Sequence, residues 1–343
     1  MEKNSTLISP LPGLLKPKPS LMKAAVITSP RNIEFQNVPV PVPGNRQVLI
    51  RIEGCGICGS DLPVWQGREW FTYPYGTGAP GHEGFGIVEE VGAKVTSVSV
   101  GQRVAMLSYH SYAEYDIAEA DEIVKLPGQF AGLPFPGEPL GCSINIFKRS
   151  QITKNDTVAI VGAGFIGNLL IQLCKSAGAK VIAVSRRESS LKMAFECGAD
   201  HIVKMDDHYQ VIQKVNELTQ NKGCSCVIEA TGKQWPLDLA GEFVGVRGRL
   251  IIAGFHQDGM RQVNIQNWNW KGIDVINAHE RDPRVYISGM QLAVEAVANG
   301  ILNPGLLYTH HYEFGQLNQA FEDMSAGKDG YIKGIIKMIE ENV

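Results

Sequence analysis

Val158-Ala-Ile-Val-Gly162-Ala-Gly164-Phe165-Ile166-Gly167-Asn168 is an apolar strand running into a Gly-x-Gly-x-x-Gly turn and then into an apolar helix. Each glycine has its own physical task in such a unit. Gly162 allows the tight turn, Gly164 lets backbone approach a pyrophosphate, and Gly167 lets helix and strand pack closely. The helix N-terminus, with Phe165 and Ile166 in its first turn, offers free N–H groups and a partial positive charge to phosphates. Glycine-rich turns are common, but this one sits in the strand–turn–helix setting that a dinucleotide site requires.

Working outward, strand alternates with helix. A helix is expected over 164–177, a strand over 180–184, a helix through 196, and further strands over 226–229 and 249–253. That rhythm predicts an α/β fold with a doubly wound parallel sheet covered on both faces. From residue 23 to about 125 the pattern is different: strand-like runs at 24–27, 47–52, 86–91 and 103–106, separated by Pro- and Gly-containing loops. These predict a compact β-rich unit. After about residue 280, a helix over 286–298 leads to a mixed tail with a strand-like run at 333–338.

The end of the second strand of the alternating region bears on the cofactor. An NAD site wants a carboxylate there, about 20 residues past the glycines, to accept from the ribose 2′-hydroxyl. The chain reads Val184-Ser185-Arg186-Arg187 instead. A guanidinium fork matches phosphate geometry, and the missing carboxylate removes a repulsive charge, so NADP(H) is expected. The plainer role for the arginines is a solvated helix start with Glu188 pairing locally.

Composition narrows the classes. At 343 residues the chain is long enough for two domains. Its 32 basic and 35 acidic residues give a net charge of −3, so no basic field draws in nucleic acid or anionic lipid. Seven cysteines make no disulfide scaffold in a chain this long, which points to a reducing, cytoplasmic setting. Residues 1–22 carry four prolines and no long apolar run, and read as a flexible leader. The apolar run from residue 158 to 174 is interrupted by the three glycines, Asn168 and Gln172, so no membrane span is expected.

A second informative stretch is Gly54-Cys55-Gly56-Ile57-Cys58-Gly59-Ser60-Asp61, followed by Gly81-His82-Glu83-Gly84-Phe85-Gly86. Taken alone, Cys55-x-x-Cys58 suits a redox pair or half of a structural zinc site. The next cysteine is Cys142, too far on for a matching pair. One thiolate with a histidine, carboxylates and an open position describes catalytic zinc instead.

These blocks resemble the medium-chain, zinc-dependent alcohol dehydrogenase superfamily, particularly its sorbitol (polyol) dehydrogenase-like branch. The likeness extends over nearly the whole chain and includes Glu138-Pro-Leu-Gly, Cys226-Val-Ile-Glu-Ala-Thr231-Gly232 and Gly248-Arg-Leu-Ile-Ile-Ala-Gly254. It implies a GroES-like catalytic domain (residues 23–146 and 281–343) interrupted by a Rossmann NADP(H)-binding domain (147–280), with the active site in the cleft between them. By the resemblance, Cys58 and His82 are zinc ligands, and Glu83 and Glu138 complete the shell directly or through water; which of the two touches the metal is left open. Asp61 orients the imidazole and Ser60 passes the alcohol proton outward. Thr231, Gly254, Phe255 and Asn277-Ala278-His279 follow the nicotinamide half, and Lys333 falls near the pyrophosphate. Cys55, Cys142, Cys174, Cys197, Cys224 and Cys226 are expected as buried thiols.

Two departures from the family follow. No cysteines stand between Arg103 and Ala113, where many relatives carry a structural-zinc lobe, so one zinc per subunit is expected. Pro63 stands where some relatives place the outer histidine of the proton relay; His110 and His279 are candidate replacements or ordinary polar residues. Trp65, Trp70, Phe71, Tyr73 and Tyr75 follow the metal motif, either bordering the pocket or packing the domain. The implied activity is hydride transfer between NADP(H) and a secondary alcohol or ketone of polyol, cyclitol or sugar type, in a homodimer or homotetramer. The alternatives are a zinc-free quinone or enone reductase of the same fold and a non-catalytic dinucleotide-binding protein.

Overall fold

The structure, a computed structural model, describes residues 18–338. The expected leader therefore falls mainly outside the described residues. Its last two residues belong to the fold: Leu21 and Met22 open β1 (Leu21–Ser29), which pairs antiparallel with β2 (Asn32–Pro39). Met22 faces inward at 8% exposure, so the in–out alternation of the strand already includes it.

The β-rich unit continues with β3 (Gln47–Gly56), a short helix α1 (Leu62–Gln66), β4 (Gly84–Val91), β5 (Arg103–Met106), β6 (Tyr115–Glu119) and β7 (Ile123–Lys125). Helix α2 (Gly137–Ser150) leads into the alternating region: β8 (Thr157–Val161), α3 (Phe165–Ser176), β9 (Lys180–Ser185), α4 (Glu188–Glu196) and β10 (His201–Lys204). The second half repeats the theme with α5 (His208–Leu218), β11 (Cys224–Glu229), α6 (Gln234–Phe243), β12 (Val244–Ile252), α7 (Ile265–Lys271) and β13 (Asp274–Asn277). The chain then returns to the first unit through α8 (Pro283–Ala298), β14 (His310–Glu313), α9 (Leu317–Ala326) and β15 (Gly334–Lys337).

The six strands β10-β9-β8-β11-β12-β13 form one all-parallel sheet. Its central strand β8 has Val158, Ala159, Ile160 and Val161 at 0% exposure, as a strand covered on both faces must. The strand order reverses between β8 and β11. A ligand crevice opens at the carboxyl ends of the strands at such a point, and the glycine turn is there. The second sheet runs β14-β15-β3-β4-β5-β7, with β6 also paired to β3. The protein thus has the expected architecture, a GroES-like β-rich unit and a Rossmann sheet.

Two features of this arrangement position the site. Helix α2 packs on α8, where Asn145 Nδ2 donates to the Val285 carbonyl at 3.2 Å, and Glu138 lies in the first turn of α2. Strand β15 lies antiparallel to β3 with Ile335 opposite Gly56, which carries Lys333 to the Ile57 carbonyl. Among the described residues, no helix is long and apolar enough to cross a membrane.

Candidate metal centre and dinucleotide cleft

Strand β3 ends at Gly56, and the chain turns so that Cys58 caps a short 3-10 turn over Gly59–Asp61. His82 and Glu83 immediately precede β4, the neighbour of β3, so the two strand ends deliver all three groups to one place. Among the described residues, Cys58, His82 and Glu83 form the one group whose ligand atoms all lie within 4.8 Å of one another. Sulfur, imidazole nitrogen and carboxylate oxygen form a donor set suited to zinc with a position left open.

The imidazole is held in one orientation. His82 Nδ1 lies 3.1 Å from Asp61 Oδ1 and 2.9 Å from the Pro80 carbonyl. Both partners accept, so Nδ1 carries the proton and Nε2 is left as the ligating nitrogen. Burial alone would lower the ring's pKa, but the Asp61 carboxylate and Cys58 outweigh it and hold the ring well above its usual value. Asp61 is in turn fixed by the Tyr112 hydroxyl at 2.7 Å. Burial and the Asp61 charge push the Tyr112 phenol well up, so it remains a donor. Ser60 Oγ donates to Cys58 Sγ at 3.1 Å.

Glu83 is fully buried, and its compensating charge is Lys333, itself 4% exposed. Lys333 Nζ donates to Glu83 Oε1 at 2.6 Å and to the Ile57 carbonyl at 2.9 Å. Glu83 Oε2 is 2.5 Å from the same ammonium yet has no aligned hydrogen bond. An under-satisfied buried carboxylate oxygen beside a thiol and an imidazole fits a metal ligand. Lys333, expected near the pyrophosphate, is paired with Glu83. It still reaches toward the glycine turn, with Nζ 5.0 Å from the Phe165 ring centroid.

Glu138 stands apart from the three-residue cluster. It accepts from Cys142 Sγ at 3.1 Å, one helical turn on, and burial raises its carboxyl pKa. Cys142, expected as a buried thiol, is half-buried, and burial and Glu138 raise its pKa well above the usual value. Cys55, Cys174, Cys197, Cys224 and Cys226 are buried as expected, and burial pushes Cys224 and Cys226 up to about 12. Pro63 opens α1 within the core. His110 is exposed and bonded to the Thr77 carbonyl at 2.8 Å, and His279 stacks on Phe255 at 5.6 Å. Neither touches Ser60 by a hydrogen bond among the described residues.

The aromatic segment divides. Trp65 is core, 1% exposed, stacked on Phe321 at 5.7 Å and bonded through Nε1 to Asn318 at 2.9 Å. Tyr73 donates to the Val64 carbonyl, and Phe71 meets Tyr75 edge-on. Trp70 alone of the five is strongly exposed. Tyr109, not singled out from the sequence, is also exposed, with its ring centroid 6.1 Å from that of His82. It lies between Arg103 and Ala113, where the sequence drew notice only for its lack of cysteines.

At the dinucleotide cleft each glycine has a visible reason. Gly162 has φ +111°, and a Cβ there would come within 2.5 Å of Thr231 Cγ2. A Cβ on Gly167 would meet the Gly162 carbonyl oxygen at 1.9 Å, so helix and strand touch backbone to backbone. Around Gly164 there is open space. Ser185 ends β9 and Arg187 caps α4. Glu188 pairs with Lys204 at 2.8 Å rather than with the arginines. Neither Arg186 nor Arg187 has a salt bridge or side-chain hydrogen bond among the described residues. Burial and the neighbouring Arg186 lower the Arg187 pKa. Thr231 and Gly232 follow β11, Gly254 and Phe255 follow β12, and Asn277 ends β13 with Ala278 and His279 behind it.

Comparison with known proteins accords with this geometry. Residues 44–133 match the alcohol dehydrogenase GroES-like domain and residues 166–295 the zinc-binding dehydrogenase family. An alcohol dehydrogenase of Geobacillus stearothermophilus is 33% identical over 230 residues, 56% of this chain and 67% of the relative. A sorbitol dehydrogenase of Halalkalibacterium halodurans is 27% identical over 90% of this chain and 97% of its own length. Among solved structures, a zinc-binding dehydrogenase of Sinorhizobium meliloti bound to NADP superposes with a TM-score of 0.81 at 24% identity, over 93% of this chain and 100% of the other.

Proposed function

The chain belongs to the zinc-dependent medium-chain alcohol dehydrogenase superfamily, oxidoreductases that use a nicotinamide cofactor on small molecules, and from that premise we propose its reaction. It moves a hydride between NADP(H) and the carbon of a secondary alcohol or ketone of polyol, cyclitol or sugar type. The observation that carries this reading is the convergence of Cys58, His82 and Glu83 beside a strand–turn–helix dinucleotide cleft. In this reading those three residues hold one zinc ion, with Glu83 as the resting carboxylate and Glu138 held back by Cys142.

Zinc so held supplies a Lewis acid toward the substrate oxygen, and the nicotinamide supplies or takes the hydride. The chain's own residues prepare the site. Tyr112 fixes Asp61, and Asp61 fixes the His82 ring, so the ligand nitrogen is already aimed. Lys333 supplies the buried counter-charge to the Glu83 carboxylate. Ser60 Oγ, 3.1 Å from Cys58 Sγ, would exchange a proton with the substrate hydroxyl. The half-buried cleft wall brings the exposed phenol of Tyr109 near His82, where an aromatic face with a polar handle suits a carbon chain bearing hydroxyls.

The unpartnered Arg186 and Arg187, with no carboxylate at the end of β9, support NADP(H) over NAD(H). Replacing both arginines with serine is expected to lower kcat/KM for NADP⁺ about 10- to 100-fold, as loss of charge-assisted bonds to a 2′-phosphate would, with little change for NAD⁺. Steady-state kinetics with both cofactors over a panel of polyols, cyclitols, sugars and simple ketones tests this. A wild-type preference for NAD⁺ contradicts the cofactor assignment.

We also take the chain to act as a homodimer or homotetramer. Among the described residues, strand β13 is an unpaired edge of the parallel sheet, with Val275 exposed on it and Trp270 89% exposed on the preceding α7. An exposed edge with apolar neighbours is a template for a second chain. Sedimentation equilibrium is expected to return a dimer or tetramer mass; a monomer at micromolar concentration contradicts it.

A further inference from the structure

We infer that His256 and Arg261 are positioning residues that hold the Thr231–Gly232 turn at the dinucleotide cleft, an inference that rests on the cofactor reading above. Strand β11 ends in Glu229, which is fully buried. A buried carboxylate is tolerated only when donors surround it. Glu229 Oε1 accepts from the backbone N–H of Thr231 at 2.7 Å, from that of Gly232 at 2.9 Å, and from the Thr231 hydroxyl. Its other oxygen, Oε2, is met by His256 Nε2 at 2.9 Å.

The far side of the imidazole sets its tautomer. Arg261 Nε lies 2.9 Å from His256 Nδ1. An arginine only donates, so Nδ1 accepts and the ring's proton resides on Nε2, where it is given to Glu229. Arg261 also donates through Nη2 to the Gly232 carbonyl at 2.8 Å and pairs with Asp258, which Lys233 holds at 2.6 Å. The Thr231–Gly232 turn is therefore gripped through its N–H groups by Glu229 and through a carbonyl by Arg261, with His256 joining the two. Further support is backbone: Ala253 and Gly254 N–H both donate to the Glu229 carbonyl, at 2.9 and 2.8 Å.

What the turn touches links it to the cofactor. Thr231 packs directly on Gly162, the first glycine of the phosphate turn, at the carboxyl ends of the adjacent strands β8 and β11. The loop that supplies His256 also supplies Phe255, stacked on His279. In the cofactor reading Thr231, like the Phe255–His279 stack, follows the nicotinamide half, so a shift of Thr231 is a shift of the surface under that half of the dinucleotide rather than under the adenine half.

The test compares two substitutions at one position. His256→Ala removes both the donor and the acceptor, whereas His256→Gln offers an amide N–H to Glu229 and an amide oxygen to Arg261. Affinity is measured by fluorescence titration for NADPH and for 2′,5′-ADP, which carries only the adenine half. The expected result is NADPH binding weakened about 10- to 100-fold in His256→Ala, the range for a lost hydrogen bond to a buried charge. Binding of 2′,5′-ADP should be unchanged, and His256→Gln should restore NADPH binding. In turnover, the loss should fall on the cofactor KM rather than on kcat. Arg261→Met should show the same split, and serves if His256→Ala does not fold. Wild-type NADPH affinity in both His256→Ala and Arg261→Met, or equal weakening of NADPH and 2′,5′-ADP, overturns the inference alone. A wild-type chain that binds neither probe overturns the cofactor reading and this inference together.

Discussion

Cys58→Ser is expected to lower kcat/KM for the alcohol substrate by about a thousandfold or more, and His82→Ala by a similar factor. In the proposed reaction the charge that develops on the substrate oxygen is met by the metal, and the buried lysine beside Glu83 is not free to replace it. Lys333 is buried and held by Glu83 and the Ile57 carbonyl. Losing a Lewis acid forfeits several kcal/mol of transition-state stabilisation, and each 1.4 kcal/mol or so is a factor of about ten. The pattern matters more than the size. If the residues act as one metal site, as proposed, the Cys58→Ser/His82→Ala double substitution should be no slower than either single one. Independent contributions would multiply. NADPH binding should survive in all three variants, since Cys58 and His82 belong to the β-rich unit and the glycine turn to the parallel sheet.

Lys333→Met carries the second large effect, on stability. Glu83 and Lys333 are 0% and 4% exposed, so removal of the ammonium strands a carboxylate in the interior. Breaking a buried pair from one side costs about 3–5 kcal/mol. At about 2–4 °C per kcal/mol for a cooperative unit of this size, the Tm should fall by about 10 °C in calorimetry of metal-depleted protein. The deficit should depend on pH in a defined direction. In the native pair, burial alone would lower the Lys333 pKa, but Glu83 outweighs it and the ammonium is held above its usual value. Without it, a carboxyl left in the interior favours its neutral, protonated form. The folded variant then binds a proton that the unfolded chain releases, so its stability falls as pH rises from acid toward neutral. Lys333→Met/Glu83→Gln should recover much of the loss, because it leaves no charge behind. A variant with an unchanged Tm across this range contradicts the pairing.

What could be read from the chain alone depended on how local the signal was. The glycine turn was legible because strand, turn and helix are consecutive, and the three glycines have distinct steric tasks over residues 162–167. The donor types of Cys58, His82 and Glu83 stood close enough in sequence to suggest a metal, and adjacent strands β3 and β4 bring them together. Their neighbours were not legible. Lys333 meets Glu83 only because β15 returns from the far end of the chain to lie along β3, a pairing that no spacing announces. Tyr112 reaches Asp61 across 51 residues. His256 and Arg261 sit in a loop without a motif, and only the buried end of β11 gives them a role.

Where a residue had two plausible roles, packing decided. Trp65 follows the metal motif closely, yet it fills the space between α1 and α9 against Phe321. Cys142, one turn beyond Glu138, bonds to it and is only half-buried because α2 presents both on the same side. Helix periodicity predicts that geometry once α2 is recognised, but Gly137, Pro139 and Gly141 near its start obscure the helix in the sequence.

The most direct test is the metal content of the purified wild-type chain, determined by mass spectrometry beside its NADP⁺-dependent turnover. About one zinc per chain, removed by a chelator together with activity and missing from Cys58→Ser, is the expected result. A chain free of metal that turns over an alcohol at its full rate contradicts it.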